Sequence, residues 1–227
     1  MKRVITALLA ALLVLSLAAC GSGVETKKLA GTWTCTIDVT DRMNAAAEQA
    51  LGLSAADGTA QMPLQLVLTV AEDGAYTLRY DSDAVRTALD AYAAALHPAA
   101  VESVYAAAEE QGLSREEYDA AMEKAGITMD DMVAAIFAGV DEEELLSLLT
   151  GRSAALTGYC RAEGGQLYLA DTAADLTETA DCLSYTLSDG TMTWTDAQGE
   201  LSSQLTEQEQ ELLRVPLTWT KRAEESK

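Results

Sequence analysis

Gly31-Thr32-Trp33-Thr34-Cys35-Thr36-Ile37-Asp38-Val39 sets Trp33, Cys35, Ile37 and Val39 on one face and Thr32, Thr34, Thr36 and Asp38 on the other. Alternation with a period of two over such a run is the mark of a half-buried β-strand. The same pattern recurs outward from it, at Leu64, Leu66, Leu68 and Val70, and again at Tyr76, Leu78 and Tyr80 beyond Glu72-Asp73-Gly74. The turn between these two runs fixes their register. A two-residue Asp73-Gly74 turn would pair Val70 with Thr77 and throw the apolar rows onto opposite faces. A three-residue loop with a left-handed Gly74 pairs Val70 with Tyr76 and Leu68 with Leu78, and is the one expected. Downstream, two-residue turns at Gly164-Gly165 and Asp189-Gly190 place Cys160 opposite Leu169, Ala162 opposite Leu167, Leu187 opposite Met192 and Tyr185 opposite Trp194. Val215, Leu217 and Trp219 form a last inward row, with Pro216 near the strand start, where a missing N–H is tolerable. About seven or eight strands joined as sequential neighbours predict an antiparallel meander β-barrel.

Between the third and fourth runs the period lengthens. Val85, Leu89, Tyr92 and Leu96 fall on one helical face, as do Val101, Val104, Tyr105 and Ala108, then Tyr118, Met122 and Ala125, then Met129, Met132, Val133, Ile136 and Phe137. Ser82, Ser114, Thr128 and Asp141 precede acidic residues, as helix starts do, while Gly112, Gly126 and Gly139 sit where helices stop. His97-Pro98 is expected to break the first helix. The fold class is therefore α+β. Residues 30–81 and 151–223 form the barrel, and a bundle of short α-helices over 82–150 interrupts it. That insert holds 15 acids against 3 bases, a net charge of −12, so the helices should pack with apolar faces covered and acidic faces in water.

The chain opens with Lys2 and Arg3, followed by the apolar run Val4 to Ala19, in which only Thr6 and Ser16 are polar. This is a signal-peptide pattern, and polar Gly21-Ser22-Gly23 follows too soon for a spanning helix. Leu17-Ala18-Ala19-Cys20 resembles the bacterial lipobox, which implies cleavage before Cys20 and diacylglycerol on its sulfur. Residues 1–19 are then the signal peptide, and residues 20–29 a lipidated tether, flexible over Gly21 to Lys28. The expected location is the outer face of the cytoplasmic membrane, where acyl chains hold the protein without a basic patch.

Composition narrows the function. Of 227 residues, 49% are hydrophobic and only 3 are proline, so most of the chain can bury a core. The 15 Lys and Arg against 36 Asp and Glu give a net charge of −21, and removal of the leader takes it to −23. Such a balance excludes nucleic acid as a partner. His97 is the single histidine and stands beside no nucleophile motif. No G-x-S-x-G, H-E-x-x-H, phosphate loop or C-x-x-C occurs. Asp81 and Asp83 begin like a calcium loop, but Arg86 and Tyr92 stand where Gly and Glu are required. Asp141-Glu142-Glu143-Glu144 reads as a solvated helix start and not as a cation site. No cofactor, metal or catalytic residue is expected.

The Gly31-Thr32-Trp33 start, the meander and the closing Leu217-Thr218-Trp219-Thr220-Lys221-Arg222 resemble a lipocalin-like domain of secreted bacterial lipoproteins, over residues 31 to 80 and 154 to 222. The second lipocalin signature, T-D-Y, does not occur. The resemblance implies that Trp33 closes one barrel end and that Lys221 or Arg222 packs over it. Candidate lining for a ligand cavity is Trp33, Tyr76, Tyr80, Tyr185, Trp194 and Trp219, although such a row more often fills the core of a small barrel. Met122, Met129 and Met132 could form an adaptable groove or pack the helices. Cys35 and Cys160 face inward and are the candidate disulfide, with free buried thiols the other option, and Cys182 faces outward with Ser184 and Thr186. The expected function is a membrane-anchored, non-enzymatic lipoprotein that binds an apolar ligand or a partner protein. The alternative is an interaction module of the cell envelope with a solid barrel.

Overall fold

A computed structural model describes residues 24–53, 60–138, 155–178, 180–196 and 213–223. The leader, Cys20, Gly139 and the Asp141-Glu142-Glu143-Glu144 run lie outside these residues. The described chain begins with a helical turn over residues 24–29 (α1). There follow β1 (Gly31–Asp38), α2 (Thr40–Leu51), β2 (Pro63–Val70), β3 (Ala75–Tyr80), α3 (Ser82–Glu110), α4 (Arg115–Ala125) and α5 (Met129–Phe137). Beyond them come β4 (Leu156–Glu163), β5 (Gln166–Ala170), a 3₁₀ turn at Ala173–Asp175, β6 (Asp181–Ser188), β7 (Thr191–Asp196) and β8 (Leu217–Lys221).

The eight strands pair in sequence order and β8 returns to β1, which closes the barrel. Each register deduced from turn parity is present. Val70 pairs with Tyr76 and Leu68 with Leu78, Cys160 with Leu169 and Ala162 with Leu167, and Tyr185 with Trp194 and Leu187 with Met192. The β2–β3 loop is closed by the Ala71 amide donating to the Ala75 carbonyl at 2.8 Å. Gly74 sits there at φ +90°, where a side chain would run into the Cys160 carbonyl, so glycine is required by both conformation and space. Along β1, Trp33, Cys35, Ile37 and Val39 are buried, as the alternation predicts.

The chain divides into two compact units, one made of residues up to 35, 66–80 and 154 onward, the other of 36–65 and 81–153. The first is centred on Leu66, Leu183, Met192, Trp33 and Trp219, all almost wholly inaccessible. In the second, Leu53, Ala100 and Val133 form a buried cluster against which Leu51, Val101, Ile136 and Phe137 pack.

Four expectations change. His97-Pro98 does not end a helix, because α3 runs unbroken from Ser82 to Glu110. Proline removes the bond to the carbonyl four residues back, but Pro98 and Ala94 both face solvent, where water can take that bond. Buried Leu96 and Ala100 on the other face hold the helix in line. The inward stripe of α3 is Val85, Ala88, Tyr92, Leu96 and Ala100, with Leu89 only half-buried beside it. Asp81, not Ser82, caps α3, its side chain accepting from the Ala84 amide. The stretch read as a flexible tether is helical over residues 24–29 and buries Thr26 and Leu29. A helix absent from the sequence reading, α2, follows β1. Ser114 and Thr128 head capping boxes with Glu117 and Asp131 as anticipated, and Gly126 ends α4 at φ +70°.

Candidate functional site

The barrel interior is the natural place to seek a ligand site, and most of it is side chain. Trp194 and Trp219 lean together with ring centroids 4.8 Å apart. Among the described residues, neither buried indole Nε1 has a hydrogen-bond partner. Among the described residues, a cavity of about 30 Å³ is lined chiefly by Leu68, Leu78, Leu167 and Met192 with Tyr76, Trp194 and Cys160, and Asp181 is the acid among them. That volume suits a water molecule or two, whereas roughly 150 Å³ is needed to take in a benzene. Of the six aromatics proposed as lining, Tyr76 and Trp194 reach the cavity, while Trp33, Tyr80, Tyr185 and Trp219 do not. Leu29, from the stretch read as tether, does.

Trp33 is buried near the end of the barrel where β1 begins. Its Nε1 donates to the Leu29 carbonyl at 2.7 Å in a buried bond. Lys221, its partner across β1 and β8, holds Nζ 5.3 Å from the ring centroid, a cation–π distance. The basic residue over the tryptophan is thus Lys221. Gly31 makes room for it, since a Cβ there would come within 2.8 Å of the Lys221 Cε. α1 is fastened to the same end. The Gly164 amide donates to Glu25 Oε2 at 2.8 Å, and the Ala162 amide to Thr26 Oγ1 at 3.0 Å. Tyr185, whose amide donates to the Gly165 carbonyl at 2.9 Å, stands at this end, and burial, then the Glu25 carboxylate and Cys160, hold its pKa above the usual value.

The candidate Cys35–Cys160 disulfide is not formed, and Cys35, Cys160 and Cys182 are all thiols. Burial pushes the Cys35 thiol up to about 11, against a lowering contact with the Thr218 backbone. Burial, aided by the Asp73 carboxylate, pushes Cys160 up to about 12. Neither is a nucleophile near neutral pH.

The polar clusters of the helical unit are ion pairs that tie helices together. Arg115 reaches Glu102 at 2.8 Å and Glu109 at 3.2 Å and lies 4.6 Å from the Tyr105 ring centroid. The hydrogen bond from Arg115 holds Glu102 below its ordinary range. The Tyr105 hydroxyl donates to Asp119, and that bond holds its pKa above the usual value. His97 Nε2 lies 3.0 Å from Asp130 and joins α3 to α5. No group of three or more metal-ligating side chains converges among the described residues, and no described helix is long and apolar enough to cross a membrane. Met122, Met129 and Met132 are all half-buried. No match to the chain was found among protein-family models, curated proteins or solved structures.

The sequence reading missed the docking of α1. Glu25 and Thr26 carry no motif, and the signal available was Leu29, a lone apolar residue four positions before Trp33.

Proposed function

We propose that the protein is a non-enzymatic lipoprotein, held by diacylglycerol on Cys20 at the outer face of the cytoplasmic membrane, whose lipocalin-like barrel is a filled scaffold. Its role is that of an interaction module of the cell envelope and not of a carrier. The observation that carries this reading is that the cavity found among the described residues of the barrel is only roughly 30 Å³. Ligand sites run to roughly 300–1,000 Å³. The lipobox-like Leu17-Ala18-Ala19-Cys20 supports the anchor. The absence of a nucleophile motif from the sequence, and the raised pKa of both buried thiols, which keeps them protonated near neutral pH, support a non-catalytic role.

Titration of the mature protein with an apolar naphthalene-sulfonate fluorophore tests the filled barrel. The expected result is a weak signal that does not saturate. Saturable binding of one probe per chain, abolished by an apolar competitor, would favour the ligand carrier instead.

A further inference from the structure

The way α1 is fastened gives the anchored protein an orientation. From Cys20 to Val24 the chain has four residue steps, which even when fully extended span at most about 14 Å. Val24 opens a helix that cannot swing freely, because Glu25 and Thr26 accept the amides of Gly164 and Ala162 at 2.8 and 3.0 Å, and the Leu29 carbonyl holds the Trp33 indole at 2.7 Å. The barrel is an eight-stranded antiparallel meander. The β2–β3, β4–β5 and β6–β7 turns therefore lie at the end where β1 begins and β8 finishes. The Lys221 amide donates to the Gly190 carbonyl at 2.8 Å and the Cys160 amide to that of Gly74 at 2.7 Å, which ties these turns to their neighbours.

We infer that this turn end is the membrane-apposed face and rests on the headgroup layer of a phospholipid bilayer. The inference depends on the Cys20 anchor proposed above. Two features of the surface fit that partner. The exposed large hydrophobics of the barrel unit, Val24 at 55% and Leu187 at 37%, both lie at this end, one where the chain leaves for the anchor and the other at the β6–β7 turn. Lys27, Lys28, Lys221 and Arg222 are exposed there as well. They balance the exposed acids of the turns, Glu72, Asp73, Glu163 and Asp189, and half-buried Arg161 offsets half-buried Glu25, so among the described residues this end is near neutral in a chain of net charge −21. An anionic lipid surface repels the rest of the molecule more strongly than it repels this face.

The test uses full-length lipidated protein with Cys182→Ser, bound to phosphatidylcholine–phosphatidylglycerol vesicles that carry a headgroup-attached quencher. A fluorophore is placed at Glu72→Cys, in the β2–β3 turn, or at Asp171→Cys, beyond the other end of β5. β5 alone, with five residues, separates the two ends by about 17 Å along the strand. Quenching is expected to be several-fold stronger at position 72. A twenty-residue Gly-Ser linker between Gly23 and Val24, spanning about 25 Å on average, should bring the two signals together while the protein stays bound. Equal quenching at both positions in vesicle-bound protein without the linker overturns the orientation and leaves the anchor standing. Protein that does not sediment with vesicles overturns the anchor, and the orientation with it.

Discussion

Trp33 and Trp219 are both buried to within 1% of complete, yet their polar edges differ. Trp33 donates to Leu29 and carries Lys221 on its face, whereas the Trp219 Nε1 has no partner among the described residues. Replacing each with phenylalanine removes similar apolar area. Trp33→Phe should therefore be the more damaging by about 1 kcal/mol, because it also strands the Leu29 carbonyl. Urea denaturation of the two variants checks this. The buried thiols set a pH dependence. Their ordinary pKa near 9 is raised in the fold to about 11 at Cys35 and about 12 at Cys160. An unfolded chain thus ionises first, and the stability present below pH 9 is lost as pH rises through 11 to 12. The urea midpoint should fall progressively above pH 9. The double variant Cys35→Ala, Cys160→Ala, although less stable at neutral pH, should lose that part of the fall.

At the scale of elements, the helical unit invites two measurements. Pro98 sits in an otherwise continuous α3, so Pro98→Ala should stabilise the unit by about 1–3 kcal/mol, since it restores a helix bond and removes a clash. Had Pro98 ended the helix, the same change would do little. The exposed acids of α3, α4 and α5 repel one another less when screened, and screening fades below roughly 0.1 M salt. Amide exchange in residues 82–138 should therefore quicken at low ionic strength while the barrel strands hold. Equal, salt-independent protection would make the helices an integral part of one core. Strand registers were legible in the sequence because a one-residue error at a turn would expose a whole apolar row, as the choice at Glu72-Asp73-Gly74 illustrates. α2 was not legible. Its inward residues are Met43 and Ala47, and alanine gives almost no hydropathy contrast. Its clearest mark was Gly52, left-handed at φ +64°. α3 was misread because proline is a statement about one hydrogen bond, and only the fold reveals that the bond faces water.

Over the whole molecule, net charge bears on the proposed anchor. Without residues 1–19 the chain has a net charge of −23 and no electrostatic hold on anionic lipid, so on the proposed reading Cys20→Ala should move it entirely to the soluble fraction on cell fractionation. A variant that stays with membranes would refute the lipid anchor. The candidate cavity was only half legible for a related reason. Alternation tells which aromatics point inward, but not how much space they leave. Tyr76 and Trp194 border the cavity, while Trp33 and Trp219 are buried outside its lining. The claim that this barrel is a scaffold and not a carrier is tested most directly by native mass spectrometry of the mature lipoprotein, gently extracted from its own membrane. The account predicts a single species at the mass of the lipidated chain. A stoichiometric, noncovalently bound apolar molecule, released on collisional activation, would contradict it.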